Sequence, residues 1–154
     1  MRPETRFAED GGGLRLAYQV VGDGPTDLLF VNAWVTDLEL QWEEPRLAEF
    51  LQRLASFSRL ILVDKRGMGR SARVAPEHLP PIEARVSDLE TVLVDLGADR
   101  VVVASASESG PLAIAFAAAH PELVRALAVY ACRARYGEPL PDYPFGYPEE
   151  ELLP

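Results

Sequence analysis

Apolar residues follow two different patterns along the chain. Near the amino terminus, Leu14, Leu16, Tyr18 and Val20 alternate with other positions, after a triple-glycine turn and a shorter run around Phe7. This alternation predicts two antiparallel strands joined as a hairpin. Further along, the apolar residues form short continuous runs, at 27–31, 60–63, 101–104 and 123–131. Continuous runs are typical of parallel strands that are covered on both faces.

Helical periodicity separates these runs. One apolar helical face includes Leu47, Leu51 and Leu54. A longer one extends over 82–96 until Gly97 ends it. Strands that alternate with helices indicate an α/β fold, which we predict to be a three-layer sandwich around a mostly parallel sheet with an antiparallel amino-terminal hairpin.

The composition changes after Tyr136. Residues 137–154, GEPLPDYPFGYPEEELLP, contain five prolines, and proline interrupts regular core elements. We therefore predict one folded core over 1–136, with about six strands, followed by a tail or the start of a lid over 137–154. A chain of 154 residues with 48% hydrophobic content is sufficient for one such core but short for two.

Charge and composition exclude several classes of partner. The formal net charge is −9, so phosphates would be repelled and we expect no nucleic-acid partner. No apolar run approaches the ~18 residues of a membrane span, and the start MRPETRFAED lacks the apolar stretch of a secretory signal. The single cysteine, Cys132, cannot form an internal disulfide. We expect a cytoplasmic protein that binds neither nucleic acid nor membrane.

Metal and nucleotide cofactors are not indicated either. His78, His120 and Cys132 have no metal-ligand spacing, and the acidic run 149–151 is typical of solvated residues. The segment GMGRSA lacks the third glycine of a dinucleotide-binding loop, and no phosphate-binding loop is present. We therefore predict that the chain holds no metal and no cofactor.

The segment ASASESGPL, residues 104–112, is the strongest candidate for chemistry. It begins where an apolar strand ends and leads into the helix GPLAIAFAAAH, which is the setting of a nucleophile elbow. Ser107 is the candidate nucleophile because small residues, Ser105 and Ser109, stand two positions away on each side. Glycine is usual there, so the two serines predict added strain of about 1 kcal/mol or a shifted turn. The alternative is an ordinary loop in which Ser109 only caps the helix.

The order and spacing of three segments resemble the amino-terminal half of α/β-hydrolase-fold proteins. These segments are LAYQVVGDGPTDLLFV, NAWVTDLELQWEEPRLAEFLQRLASFSRLILVDKRGMGRS and SASESGP, and the resemblance covers about residues 5–147. More narrowly, the chain is similar to bacterial hydrolase-like domains that occur alone or beside nucleotide-cyclase and transcription-regulator domains. The resemblance implies ester or acyl hydrolysis of a small molecule, because the aspartate nucleophile of the dehalogenase and epoxide-hydrolase branches is replaced by Ser107.

The resemblance also implies the positions of two oxyanion donors. These would be the backbone amides of Glu108 and of Ala33 or Trp34, where the family commonly has glycine in place of Ala33. In the segment DKRGMGRS, residues 64–71, Asp64 and Arg66 can pair while two glycines permit a reversal, so a structural role is favoured.

A base for Ser107 is missing from the sequence. A serine is activated by a histidine, and in this fold the acid and histidine follow the nucleophile along the chain. His120 lies at the far end of the elbow helix, about 19 Å away at ~1.5 Å per residue, and His78 reads as a solvated loop residue. The chain would then contain six of the fold's eight strands, with strand 123–131 as an open edge that either a carboxyl-terminal half or an oligomer would cover.

Three functional hypotheses remain. The first is a serine hydrolase domain that is incomplete as given and takes its histidine and acid from elsewhere. The second is a non-catalytic sensor or interaction domain that keeps the pocket without the chemistry, which the serines at 105 and 109 and Ala33 favour. The third is a fragment without function, which predicts poor solubility and no cooperative unfolding.

Overall fold

The two apolar patterns combine into one six-stranded sheet. The computed structural model describes residues 2–33, 36–135 and 139–145. Its strands are β1 (Arg6–Glu9), β2 (Arg15–Val21), β3 (Asp27–Val31), β4 (Arg59–Val63), β5 (Val101–Ala106) and β6 (Val124–Tyr130). The strand order is β1-β2-β4-β3-β5-β6. The pairs β1–β2 and β2–β4 are antiparallel, and the other three pairs are parallel, which confirms the predicted mixed sheet.

Within the described ranges, three α-helices cover the sheet. They are α1 (Pro45–Ala55), α2 (Ile82–Leu96) and α3 (Gly110–Ala119). The Glu44 carboxylate caps α1 by accepting hydrogen bonds from the amides of Arg46 and Leu47. Gly97 ends α2 with a φ of 65°, a left-handed conformation that glycine adopts without a steric penalty. Short 3₁₀ turns add Leu40–Trp42, Pro76–His78 and Ser107–Ser109.

A separate apolar core lies on each face of the sheet. On one face, α2 and α3 pack against the strands, and the buried members include Leu16, Leu29, Leu89 and Phe116. On the other face, Leu51 of α1 packs with buried leucines from β3 and β4 and with Ala17 of β2. The arrangement is therefore helix, sheet, helix, as the alternating pattern predicts.

Strand β6 leaves one end of the sheet open among the described residues. It pairs with β5 on one side only. Every residue from Arg125 to Tyr130 is exposed, although the strand is mostly apolar. Val129 is 48% exposed and Tyr130 is 78% exposed. An apolar edge strand of this kind can accept a further strand.

The proline-rich segment lies only partly within the described residues. Residues 139–145 form a tight turn with an isolated bridge between Leu140 and Tyr143. The Tyr143 hydroxyl accepts a hydrogen bond from the Ala134 amide at 3.1 Å. Residues 136–138 and 146–154, including the acidic run 149–151, lie outside the described residues, so the tail prediction there stays a prediction.

Within the residues that the structure describes, none of the helices has the length and apolar character needed to cross a membrane.

Candidate active site

Ser107 occupies a backbone conformation that few residues adopt. Strand β5 ends at Ala106, Ser107 begins the 3₁₀ turn, and α3 starts at Gly110. The φ of Ser107 is +57°, and a side chain in this region costs roughly 1–2 kcal/mol. The residue is exposed. The strand therefore ends in a sharp, strained turn that presents Ser107 to solvent.

This strain can be measured by substitution. We expect Ser107→Gly to unfold with a free energy about 1 kcal/mol higher than Ser107→Ala, because glycine tolerates a positive φ and alanine does not. Equilibrium urea unfolding of both variants measures the difference. The same pair of substitutions at Ser87, which is exposed within α2, should give the opposite order because glycine weakens a helix. Equal stability of the two Ser107 variants would contradict the strained turn.

The flanking serines have ordinary backbone conformations. Ser105 lies within β5, and Ser109 has a φ of −81°, so neither has the positive φ at which a side chain is strained; strain from Cβ crowding at these two positions stays a prediction. A close approach is found at Gly110. A Cβ there would lie 2.4 Å from Cys132 Cβ, which shows that α3 approaches the turn after β6 too closely for any side chain.

Ser109 does not cap α3, contrary to the alternative interpretation. It occupies the N-cap position, but its side chain makes no capping hydrogen bond. Its hydroxyl donates instead to the carbonyl of Asn32 at 2.6 Å. The side chain is 2% exposed, so Ser109 links the end of β3 to the elbow.

The two predicted oxyanion donors differ in their hydrogen bonding. The amide of Ala33 donates to Asn32 Oδ1 at 2.7 Å, so this donor is already engaged. The amide of Glu108, the residue after Ser107, has no backbone acceptor among the described residues. Trp34, the alternative donor, lies outside the described residues. The structure thus offers one open amide beside Ser107 and one occupied by a neighbouring side chain.

A buried lysine connects these loops, and the sequence analysis missed it. Lys65 follows β4, and its side chain is 9% exposed. Its Nζ lies 2.9 Å from both Glu108 Oε1 and Ser109 Oγ. The carbonyls of Asn32 and Ala33 lie 3.3 and 3.5 Å away. The available signal was composition: Lys65 is the only lysine among 15 basic residues.

In the turn after β4, the ion pairs differ from the predicted pairing of Asp64 with Arg66. Arg66 makes a two-point ion pair with Asp88 of α2, whose side chain is 5% exposed. The expectation that Asp64 pairs with Arg66 is therefore wrong. Asp64 accepts hydrogen bonds from the amides of Leu38 at 3.2 Å and Arg70 at 2.8 Å. Both side chains make structural contacts, which is the role that the sequence favoured. Arg66 contacts α2, whereas Asp64 contacts the backbone of two loops.

Neither histidine forms a hydrogen bond with Ser107. His78 is exposed in the turn before α2. His120 follows α3, with its ring 5.0 Å from that of Phe116 and its nitrogens 3.9 Å from Glu90 and 3.6 Å from Glu122. Among the described residues, no histidine is therefore hydrogen-bonded to the Ser107 hydroxyl. The described part of the chain also contains no group of three or more histidine, cysteine or acidic side chains arranged to hold a metal ion.

An apolar groove of about 570 Å³ lies beside the elbow. Its walls come from β3, α1, β5 and β6, and include Phe30, Phe50, Ala104, Ala128 and Tyr130. Ser105 and Ala106, the two residues before Ser107, also line it. A ligand with an apolar part could lie in this groove with its polar end toward the elbow.

Comparison with solved structures agrees with this architecture. An N-acyl homoserine lactone degrading enzyme has a TM-score of 0.68 at 24% identity, over 82% of this chain and 45% of that one. A membrane phospholipase A, described as a bacterial virulence factor, has a TM-score of 0.69 at 23% identity over 86% and 40%. Epoxide hydrolases of the α/β-hydrolase superfamily, from metagenomes of hot environments, give 0.71 at 16% identity over 86% and 43%.

The described chain has the α/β-hydrolase fold. It spans between 40% and 45% of the length of these three proteins. No protein-family model and no curated protein matches the sequence. In this fold a nucleophile lies at a turn between a parallel strand and the following helix, and Ser107 lies at a turn of that kind between β5 and α3.

Proposed function

We propose that the chain is a serine hydrolase domain that cleaves esters or related acyl compounds, with Ser107 as nucleophile. The observation that supports this most is the exposed Ser107 at a φ of +57° between β5 and α3. Strain of this kind is retained at sites where a side chain must project for chemistry. A candidate oxyanion donor is also present in the next residue. The backbone amide of Glu108 has no backbone acceptor among the described residues.

In the proposed reaction, Ser107 Oγ attacks the carbonyl carbon of the ester while its proton passes to a base. The carbonyl oxygen becomes an oxyanion, which the Glu108 amide stabilises, assisted by the amide of Trp34 or by that of Ala33 after the Ala33 amide has exchanged Asn32 Oδ1 for the oxyanion. Collapse of this intermediate expels the alcohol, which takes up the proton and leaves an acyl-serine. Water then hydrolyses the acyl-serine and regenerates the hydroxyl. The base is a histidine supported by an acid, supplied by polypeptide other than the described residues.

The proposed substrate is a small molecule with an apolar portion. The groove beside Ser105 and Ala106 is lined almost entirely by carbon, with Asn32 among the polar exceptions. Two of the proteins compared above are named for acyl compounds, a lactone and a phospholipid. We place the domain in a bacterial cytoplasm, with the core over 1–136 and either the start of a lid or a tail over 137–154.

We further propose that another strand pairs with β6. The occupant is either a carboxyl-terminal half or a second copy of the chain, because β6 is apolar, exposed and paired on one side only among the described residues. Covering β6 would also close one wall of the groove, since Ala128, Val129 and Tyr130 line it.

A second candidate function is a non-catalytic ligand sensor of the same fold. One observation favours it. The Ala33 amide already donates a hydrogen bond to Asn32 Oδ1 at 2.7 Å, whereas an oxyanion would need this amide as a free donor. Such a domain would keep the groove for ligand binding without turnover.

A fluorophosphonate probe separates the two candidates. Applied to the full-length polypeptide that contains residues 1–154, it should label the unaltered protein and Ser87→Ala to the same extent, and should not label Ser107→Ala. Thermal melts of all three proteins establish that each is folded. A cooperatively folded full-length protein without Ser107-dependent labelling contradicts the hydrolase and favours the sensor.

A further inference from the structure

Lys65 connects the loops that follow three neighbouring strands of the sheet. It follows β4, whereas Asn32 and Ala33 follow β3 and Glu108 follows β5, and these strands are adjacent in the order β4-β3-β5. The lysine ammonium lies within 3.5 Å of an acceptor from each of the other two loops. Lys65 is therefore bonded at once to the loop after β3 and to the elbow.

The burial of Lys65 makes this arrangement informative. Lysine is rarely buried, because the ammonium loses its hydration unless it is paired and hydrogen-bonded. Here the side chain is 9% exposed, and an ammonium has three donors for the carboxylate, hydroxyl and carbonyl acceptors around it. The chain otherwise uses only arginine as its basic residue. A compact ammonium fits a point among converging oxygens, whereas a planar guanidinium is suited to two-point pairing.

The contacts of Lys65 coincide with the residues whose amides the proposed reaction uses. Its Nζ bonds to the carbonyl of Ala33 and the side chain of Glu108. It also bonds to Ser109, which in turn donates to the Asn32 carbonyl. Removing the ammonium would leave the Glu108 carboxylate, whose Oε2 is already buried without a partner, with no counter-charge. The bond from Ser109 to the Asn32 carbonyl would then be left as the side-chain link between the two loops among the described residues.

We propose that Lys65 is a positioning residue that holds the loop after β3 and the elbow at a fixed separation beside Ser107. The inference rests on the proposed function for its catalytic consequence. The structural part, that one ammonium orders both loops, does not depend on catalysis. Lys65 touches no reacting atom in this arrangement, and its effect passes through Ala33 and Glu108.

The test uses Lys65→Met, Lys65→Arg and a control cation, Arg73→Met. Arg73 is exposed just after the same turn. Amide hydrogen exchange, read by mass spectrometry on the full-length protein, follows peptides that cover 30–36 and 105–110. We expect Lys65→Met to increase exchange at least about 10-fold in both peptides, and Arg73→Met to leave both unchanged.

Fluorophosphonate labelling supplies the second readout. We expect Lys65→Met to lower the second-order rate constant of Ser107 labelling at least about 10-fold, with Lys65→Arg between this variant and the unaltered protein because it keeps the charge. Exchange that rises in only one peptide, or equally across all peptides, overturns the proposal. If exchange rises in both peptides but the unaltered protein is never labelled, the positioning role stands and the proposed hydrolase fails.

Discussion

Replacing Arg66 with methionine is expected to lower the free energy of unfolding by about 3–5 kcal/mol at neutral pH, since it leaves a buried carboxylate without its partner. Asp88 is 5% exposed at the side chain and receives two hydrogen bonds from Arg66. Urea unfolding of Arg66→Met against the unaltered protein measures the loss. Arg46→Met, which removes an exposed arginine of α1, is the matched control and should change stability by less than about 0.5 kcal/mol.

The loss should also depend on pH. Burial raises the pKa of the Asp88 carboxyl above its usual value, although Arg66 opposes the rise. Without Arg66 the pKa rises further, so the folded variant binds a proton that the unfolded chain releases. A raised folded-state pKa means that stability is greatest at low pH and is lost as the pH rises through that pKa. The deficit of Arg66→Met should therefore be smaller near pH 4.5 than at pH 7.

A second substitution distinguishes this account from lost packing. Adding Asp88→Asn to Arg66→Met removes the unpaired charge, so the double variant should be more stable at pH 7 than Arg66→Met alone. It should also lose the pH dependence. The alternative outcome is that the double variant loses the sum of the stabilities lost by Arg66→Met and by Asp88→Asn. In that case the packing of the Arg66 methylene groups, and not the charge, stabilises α2.

The layers of the fold follow from periodicity, while the partners of charged residues do not. Alternation around Leu16 and Tyr18 is sufficient to predict β2, and the end of α2 at Gly97 follows from its position after an apolar helical face. Arg66 is different, because its partner is 22 residues away along the chain. Asp64, two positions away, was the local candidate. Spacing along the chain cannot rank these partners when helix packing decides between them.

In the candidate site too, local features can be predicted from the sequence and contacts between loops cannot. The sequence predicts Ser107 at a strand-to-helix turn, and the structure places it there at a φ of +57°. Its role as nucleophile stays a proposal. The engagement of the Ala33 amide by Asn32 and the bonds of Lys65 depend on how three loops converge above β3, β4 and β5. No pattern along one segment encodes that convergence, although the single lysine of the chain was a usable signal.

The open edge links the fold to the proposed chemistry. Strand β6 and the groove share Ala128, Val129 and Tyr130, so whatever covers the edge also encloses the groove beside Ser107. A site from which water is excluded strengthens the electrostatic contribution of an oxyanion donor, the role that we propose for the Glu108 amide. In this proposal, one further stretch of polypeptide would both supply the base for Ser107 and cover β6.

Residues 1–154 produced alone are expected to self-associate through β6, and Val129→Lys is expected to weaken that association at least about 10-fold, because a charge on an edge strand opposes pairing with a second strand. Light scattering after size-exclusion chromatography, over a range of concentrations, measures the effect. Val94→Lys is the matched control, since it adds the same charge at a 72%-exposed apolar residue of α2. A chain that stays monomeric at high concentration while unfolding cooperatively contradicts the prediction. In a longer polypeptide whose own strand covers β6, Val129→Lys should instead lower stability and leave the oligomeric state unchanged.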